Sequence, residues 1–142
     1  MAEQFLHGVE VSEITSGPRT IRTTKSSIIG LIGTAPDADN TVFPLNKPVL
    51  IVGSRREAAK LGATGTLPMA INGIFDQIGA MVIVIRVEAG EDEAETIANI
   101  IGGVDAQTGD YKGVQAFLSA ESIVHSAPRI LIAPGFTHQR PN

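Results

Sequence analysis

"VIVIRV" (residues 82–87) is an almost unbroken apolar run, and its pattern decides the fold class open to this chain. A strand with one solvated face alternates apolar and polar residues, whereas a continuous run of this length fits a strand covered on both faces. Three other runs share that character: "SIIGLIG" (27–33), "PVLIV" (48–52) and "RILIA" (129–133). Helix-like segments separate the last three runs. The whole reads as βαβ units in an α/β fold, a mostly parallel or mixed sheet of about four strands flanked by helices.

The segments between the runs carry helix start and stop signals. In "SRREAAKLG" (54–62), Ser54 stands at an N-cap with Glu57 three residues on, a capping box, and Gly62 closes the far end. In "TLPMAINGIFDQIG" (66–79), Leu67, Ile71, Ile74, Phe75 and Ile78 fall on one helical stripe, with Thr66 as the cap and Gly79 as the stop. "EDEAETIANIIGG" (91–103) crowds acids into its first turns, where the helix dipole favours them, and offers Ile97, Ile100 and Ile101 as its apolar face. "DYKGVQAFLSAES" (110–122) repeats the pattern more weakly with Val114, Phe117 and Leu118. "GGVDAQTGDYKG" (102–113) reads as a Gly-rich surface turn.

The last run is followed by "PGFTHQRPN" (134–142), a turn with no helix to cover a parallel strand's second face. The expectation is an N-terminal piece of a longer protein. The alternative, a last strand lying on the sheet's edge, stays open on this pattern.

Composition narrows function by exclusion. The 142 residues are the size of one domain, and 43% hydrophobic against 18% charged residues is a globular balance with a real core. Aromatics are 4% and Trp is absent, which leaves little to stack on bases or sugars. The net charge of -4 and pI near 5.3 argue against a nucleic-acid partner. Without cysteine there is no disulfide, thiolate zinc site or thiol nucleophile, and the composition fits reducing cytoplasm. "MAEQFLHG" lacks the features of a signal peptide, and no apolar run approaches the roughly 20 residues of a membrane span, so no direct membrane insertion is expected.

Candidates for chemistry are few. His7, His125 and His138 have no metal-ligand spacing to one another or to a carboxylate on one helix face. The acids Glu88, Glu91, Asp92, Glu93 and Glu95 lack the spacing of a calcium loop and read as a solvated helix start. "GLIGTAPDADN" (30–40) follows a strand, and "GATGTLP" (62–68) precedes a helix. Neither has the Gly spacing or the Lys of a phosphate-binding loop. No G-x-S-x-G elbow anchors acyl transfer. The expectation is no enzyme, no metal and no cofactor, with function carried by irregular or unpaired segments.

One such segment is "HGVEVSEITSGPRTI" (7–21), in which Val9 and Val11 alternate with Glu10 and Ser12 ahead of a turn at Ser16, Gly17 and Pro18. Extended, residues 4–14 reach about 35 Å, enough to leave the parent domain. Such a strand satisfies its N–H and C=O groups along a sheet edge, of its own domain or of a neighbour; the pattern leaves both open.

This segment, with "SSIIGLIGTAPDAD", "FPLNKPVLIVGSRREAAKLG", "GTLPMAINGIFDQIGAMVIVIRVEAG", "ETIANIIGG" and "SAPRILIAPGF" in that order, resembles the N-terminal part of contractile-tail sheath proteins of temperate phages of Gram-negative bacteria. The resemblance spans nearly the whole chain. It implies a structural subunit that polymerises around the tail tube and contracts to drive it through the host envelope. The implied partners are further copies of itself, in hexameric rings stacked helically, together with the tube protein, the baseplate and the tail terminator. Its place is the virion tail, after synthesis and assembly in the host cytoplasm.

The family's arm motif falls on Gly8, Val9, Glu10, Val11 and Glu13, which the resemblance makes an inter-subunit strand. Gly17, Arg19, Ile21 and Lys25 then belong to the arm-to-domain linker. The division implied is an arm and linker over 1–25 and an α/β sheath domain over 26–142, with the family's C-terminal half absent. The sheath of a phage-derived bacteriocin or injection machine is the near alternative. A small α/β ligand-binding domain or enzyme is the distant one, and it would need polar groups converging at the C-terminal ends of "VLIV" and "VIVIRV".

Overall fold

In the computed structural model, which describes residues 28–137, the apolar runs form strands β1 (Ile28–Thr34), β2 (Pro48–Val52) and β3 (Met81–Val87); after a short pair, β4 (Gly103–Val104) and β5 (Tyr111–Lys112), the last run forms β6 (Ile130–Ile132). The helices are α1 (Arg55–Ala58), α2 (Thr66–Gln77), α3 (Glu93–Ile101) and α4 (Ala120–Val124), with 3₁₀ turns over Ala59–Leu61 and Gly113–Ser119. The main sheet has the order β2-β3-β1-β6. β1 runs parallel to β3 (Ile28 opposite Met81, Thr34 opposite Val87) and to β6, while β2 is antiparallel to β3. The fold is the expected mixed α/β class.

The βαβ reading of β2 and β3 is corrected by that antiparallel pairing. Two helical legs, not one, connect these strands. The chain leaves β2 at Val52, opposite Met81 at the start of β3, and climbs one face through α1 and the 3₁₀ turn. At the top, Lys60 O accepts from Asp39 N at 3.0 Å, and α2 begins at Thr66 beside Thr34, the end of β1. Descending along α2 returns the chain to the end it started from, and β3 must then run against β2.

The two faces of the sheet carry separate cores. Leu31, Val82 and Val84 point into the layer of α1 and α2, against Phe43, Ile51, Leu61, Leu67 and Ile71. Ile28, Ile32, Ile83, Ile85 and Val87 point the other way, against Ile100, Ala116, Phe117 and Ala120. β1 and β3 are therefore buried on both faces, as continuous apolar strands require, and each such side chain contributes roughly 1.5–3 kcal/mol by leaving water. Gly30 is where Phe117 reaches the sheet: a Cβ there would stand 2.9 Å from the Phe117 ring and 2.6 Å from Leu131.

Local signals hold in part. Ser54 caps α1, its Oγ accepting from Glu57 N at 3.3 Å. Ile78 lies just past the end of α2 in extended backbone and is exposed, unlike its expected stripe-mates Leu67, Ile71 and Phe75. On α3 the buried pair is Thr96 and Ile100, four apart on one face; Ile101 is turned outward. Leu118 is also exposed, because Gly113–Ser119 winds as a 3₁₀ helix. Its three-residue period aligns Phe117 with Ala120 rather than with Leu118. The Gly-rich turn proves to be a small hairpin, β4 against β5, closed by Asp105 N donating to Asp110 O at 2.8 Å. "RILIA" takes the edge position: β6 pairs with β1 on one side only among the described residues. Within those residues no helix is long and apolar enough to cross a membrane.

Candidate functional site

The glycine-rich turns flank the junction of β1 and α2, and they serve packing. A Cβ on Gly33 would lie 2.3 Å from Thr66 Oγ1, and one on Gly65, at φ +93, 2.3 Å from Thr34 O. That closeness lets Thr34 N donate to Thr66 Oγ1 at 3.1 Å while Thr66 N donates to Thr34 Oγ1 at 3.3 Å. The first N–H of α2, which a phosphate loop would offer to its anion, is thus already engaged. Asp37, accepting from Thr64 Oγ1 at 2.6 Å, adds negative charge beside it. The arrangement is a strand-to-helix clasp.

Arg86 staples the neighbouring loop. It is 6% exposed, and its Nε donates to Phe43 O at 2.8 Å, Nη1 to Ala35 O at 3.3 Å, and Nη2 to Asn40 Oδ1. All these acceptors are neutral, so the guanidinium is satisfied by fixing the chain between residues 35 and 46 over the sheet's end. The sequence reading missed this role. Its signal was the lone charge inside an otherwise apolar strand.

The acidic run opens α3. Asp92 Oδ1 accepts from Glu95 N, and Glu95 Oε2 accepts from Glu91 N, both at 2.7 Å; Thr96 Oγ1 takes Gly90 N at 3.0 Å and donates to Asp92 O. These groups cap a helix, and no cluster of three or more His, Asp or Glu fit to hold a metal occurs among the described residues. His125 is exposed and closes α4 in a left-handed conformation.

A polar cleft of about 600 Å³ lies past the end of β3, between α3 and the β4–β5 hairpin, with Glu88, Asn99, Asp105, Gln107 and Lys112 on its walls. Asp105 is held at about 2, below the usual 3.8, first by the Lys112 ammonium at 2.5 Å, then by the N–H groups of Gln107 and Thr108 at 2.8 and 3.2 Å. The Asp105 and Lys112 charges are spent on the hairpin itself. The C-terminal end of β2, at Val52, lies at the other end of the sheet, so the ends of "VLIV" and "VIVIRV" do not meet.

What the surface does offer is apolar. Beside β6, on the α2 face, an open groove of about 450 Å³ is bounded by Ile29, Leu31, Ala70, Ile74, Ile78 and Ile132. β6 itself presents Ile130 and Leu131 to solvent at 48% and 53%. The arm residues Gly8, Val9, Glu10, Val11 and Glu13, the linker residues Gly17, Arg19, Ile21 and Lys25, and also His7 and His138 lie outside the described residues.

Residues 26–87, which span β1 to β3, match the family described as the tail sheath protein Gp18 domain III N-terminal region. The chain is 46% identical to the tail sheath protein of Escherichia phage P2 over 137 residues, 92% of this chain and 34% of that protein. To the major tail sheath protein of Serratia phage KSP20 it is 41% identical over 141 residues, 98% of this chain and 36% of that one. To the tail sheath protein of Burkholderia phage BcepMu it is 39% identical over 115 residues, 79% and 23% respectively. The chain spans about a third of the length of the curated relatives P2 and KSP20.

Proposed function

We propose that this chain is the N-terminal part of a phage tail sheath protein and works as a contractile sheath subunit, polymerising around a tail tube and shortening to drive it through the host envelope. The observation that carries this reading is the 46% identity over 92% of the chain. Its geometry agrees with a structural role. Thr34, Thr66 and Arg86 are engaged in capping and stapling, while large apolar side chains such as Val52, Met69, Leu118 and Leu131 stand exposed on several elements.

In this reading residues 1–25 are the arm and linker, and the strand 8–13 completes β-structure in a neighbouring subunit through its own backbone N–H and C=O groups. The linker to Lys25 absorbs the reorientation while the rigid α/β domain moves as a body. No covalent chemistry is needed. The stroke comes from many modest inter-subunit contacts that re-form in a better packed lattice. Further copies, the tube, the baseplate and the terminator are the partners, in a tail assembled in the host cytoplasm.

The test is polymerisation of a full-length subunit that contains this chain, followed by electron microscopy. Tubes of stacked rings are expected. A subunit that stays monomeric with tube protein present, and that instead binds a small molecule in the Asp105 cleft by calorimetry, would overturn the reading.

A further inference from the structure

The β4–β5 hairpin is stiff inside and lightly tied to the rest of the domain. Asp105 is its internal knot: the carboxylate takes the N–H groups of Gln107 and Thr108 and the Lys112 ammonium, the Asp105 N–H donates to Asp110 O at 2.8 Å, and the Asp105 carbonyl accepts from Gly109 N at 2.8 Å. At the root the chain enters through Gly102 and leaves through Gly113, at φ +64 and +59. The two backbones touch there, since a Cβ on Gly113 would stand 2.7 Å from Gly102 Cα and 2.5 Å from Ile100 O. Such a pinch, open only to glycine, fixes the root as a pivot and leaves the hairpin beyond it to other ties.

Those polar ties are few among the described residues. Lys47 Nζ stands 3.9 Å from Asp110 Oδ1, between exposed side chains, a pair too long for a hydrogen bond and worth little in water. The stronger tie is at the root, where Asn46 Oδ1 accepts from Gly113 N at 2.9 Å across 67 residues of sequence. Asn46 is itself seated on the sheet, its N–H donating to Arg86 O at 2.8 Å. It holds a left-handed conformation (φ +56), which Asn tolerates better than most residues. Space lies on both sides of the hairpin: the cleft of about 600 Å³ toward α3, and one of about 220 Å³ beside Leu45 and Lys47.

We propose that residues 103–112 are a rigid lid that swings about the Gly102–Gly113 pinch, with Asn46 as its latch. The lid carries Asp105, Gln107 and Lys112 while the fixed wall carries Glu88 and Asn99, so each swing changes the width of the polar cleft between them. A hinged segment of this kind moves on microsecond-to-millisecond timescales without breaking its internal bonds. The inference stands on this geometry and does not depend on the sheath reading.

Amide exchange and ¹⁵N relaxation dispersion by NMR on the 142-residue chain test this, using Asn46→Gly, which keeps the left-handed backbone and removes the carboxamide. In that variant Gly113 N–H is expected to exchange at least about tenfold faster, while Asp105 and Gly109 N–H, bonded inside the lid, and the amides of β1 and β3 stay within about threefold. Resonances of residues 103–112 should share one exchange process. Unchanged Gly113 exchange overturns the latch. Acceleration of Asp105 and Gly109 along with Gly113 overturns the rigid lid, because the hairpin then melts instead of swinging, and so does the lack of a shared process.

Two further readings stand apart from that variant. Lys47→Ala is expected to leave Gly113 exchange within about threefold, as an exposed ion pair should; a tenfold effect would move the latch to Lys47 and overturn the assignment to Asn46. In the unmodified chain, Gly113 N–H, corrected for its intrinsic rate, should exchange at least about tenfold faster than Asp105 N–H, through an opening that leaves the lid intact. Equal corrected rates overturn the proposal without any substitution.

Discussion

Thr34 and Thr66, thirty-two residues apart, each donate a backbone N–H to the other's hydroxyl, tying the last residue of β1 to the first of α2. Each bond closes a group that would otherwise be orphaned, at a strand end and at a helix start respectively. The clasp works only because Gly33 has no side chain.

Thr66→Ala leaves Thr34 N without its partner and is expected to lower stability by about 1–2 kcal/mol in urea denaturation, with Thr66→Ser largely restoring it. Gly33→Ala drives a methyl to within 2.3 Å of Thr66 Oγ1 and is expected to cost more than Thr66→Ala. In the double variant the clashing oxygen is gone, so the combined loss should be smaller than the sum of the two. Strict additivity would show that the two positions are not coupled as described.

Arg86 makes the second prediction. Truncation to Ala strips three acceptors, Phe43 O, Ala35 O and Asn40 Oδ1, of their donor and leaves a cavity, an expected loss of about 2–4 kcal/mol. Arg86→Lys keeps the charge but cannot present a planar fork to three acceptors, so it should recover only part of the loss. Amides between residues 35 and 46 should exchange faster in both variants, and those of α3 should not.

A third prediction concerns acid. The Asp105 carboxyl sits at about 2 in the folded chain against 3.8 ordinarily, a depressed value, so the stabilisation it brings is complete above about pH 4 and is lost as pH falls through about 2. Acidification from pH 5 to pH 2 should therefore open the β4–β5 hairpin ahead of the core, seen as shifts of the Gln107 and Thr108 amide resonances. In Asp105→Asn those resonances should lose most of their pH dependence over that window.

How far the sequence revealed this structure depends on which interaction fixed each element. β1 and β3 were legible because burial on two faces leaves a continuous apolar run, and Ser54 was legible because its cap is local. The direction of β2 was not, since the two helical segments after it carry no local record that one climbs the sheet and the other descends it. Thr66 read as a cap but spends its hydroxyl on Thr34, a partner that only the fold brings near. Leu118 misled because apolar spacing was judged at 3.6 residues per turn where the chain winds at about three. β6 reads as a strand covered on both faces yet exposes Ile130 and Leu131 among the described residues.

The arm supplies the last prediction. Val9 and Val11 alternate with Glu10 and Ser12, so one face of an extended strand carries the valines and the other stays polar. If that strand completes a neighbour's sheet, Val9→Asp with Val11→Asp places two carboxylates against an apolar surface, each costing several kcal/mol of association unless it can reach water. Repeated once per subunit in a polymer, that penalty should abolish tubes of the full-length protein in electron micrographs. The folded α/β domain should keep its melting temperature within about 2 °C, because these positions precede its first strand. Glu10→Gln with Ser12→Ala, on the polar face, should assemble normally. Normal tubes from the double Asp variant would remove the arm from the assembly mechanism and leave the domain's own surfaces to hold the lattice together.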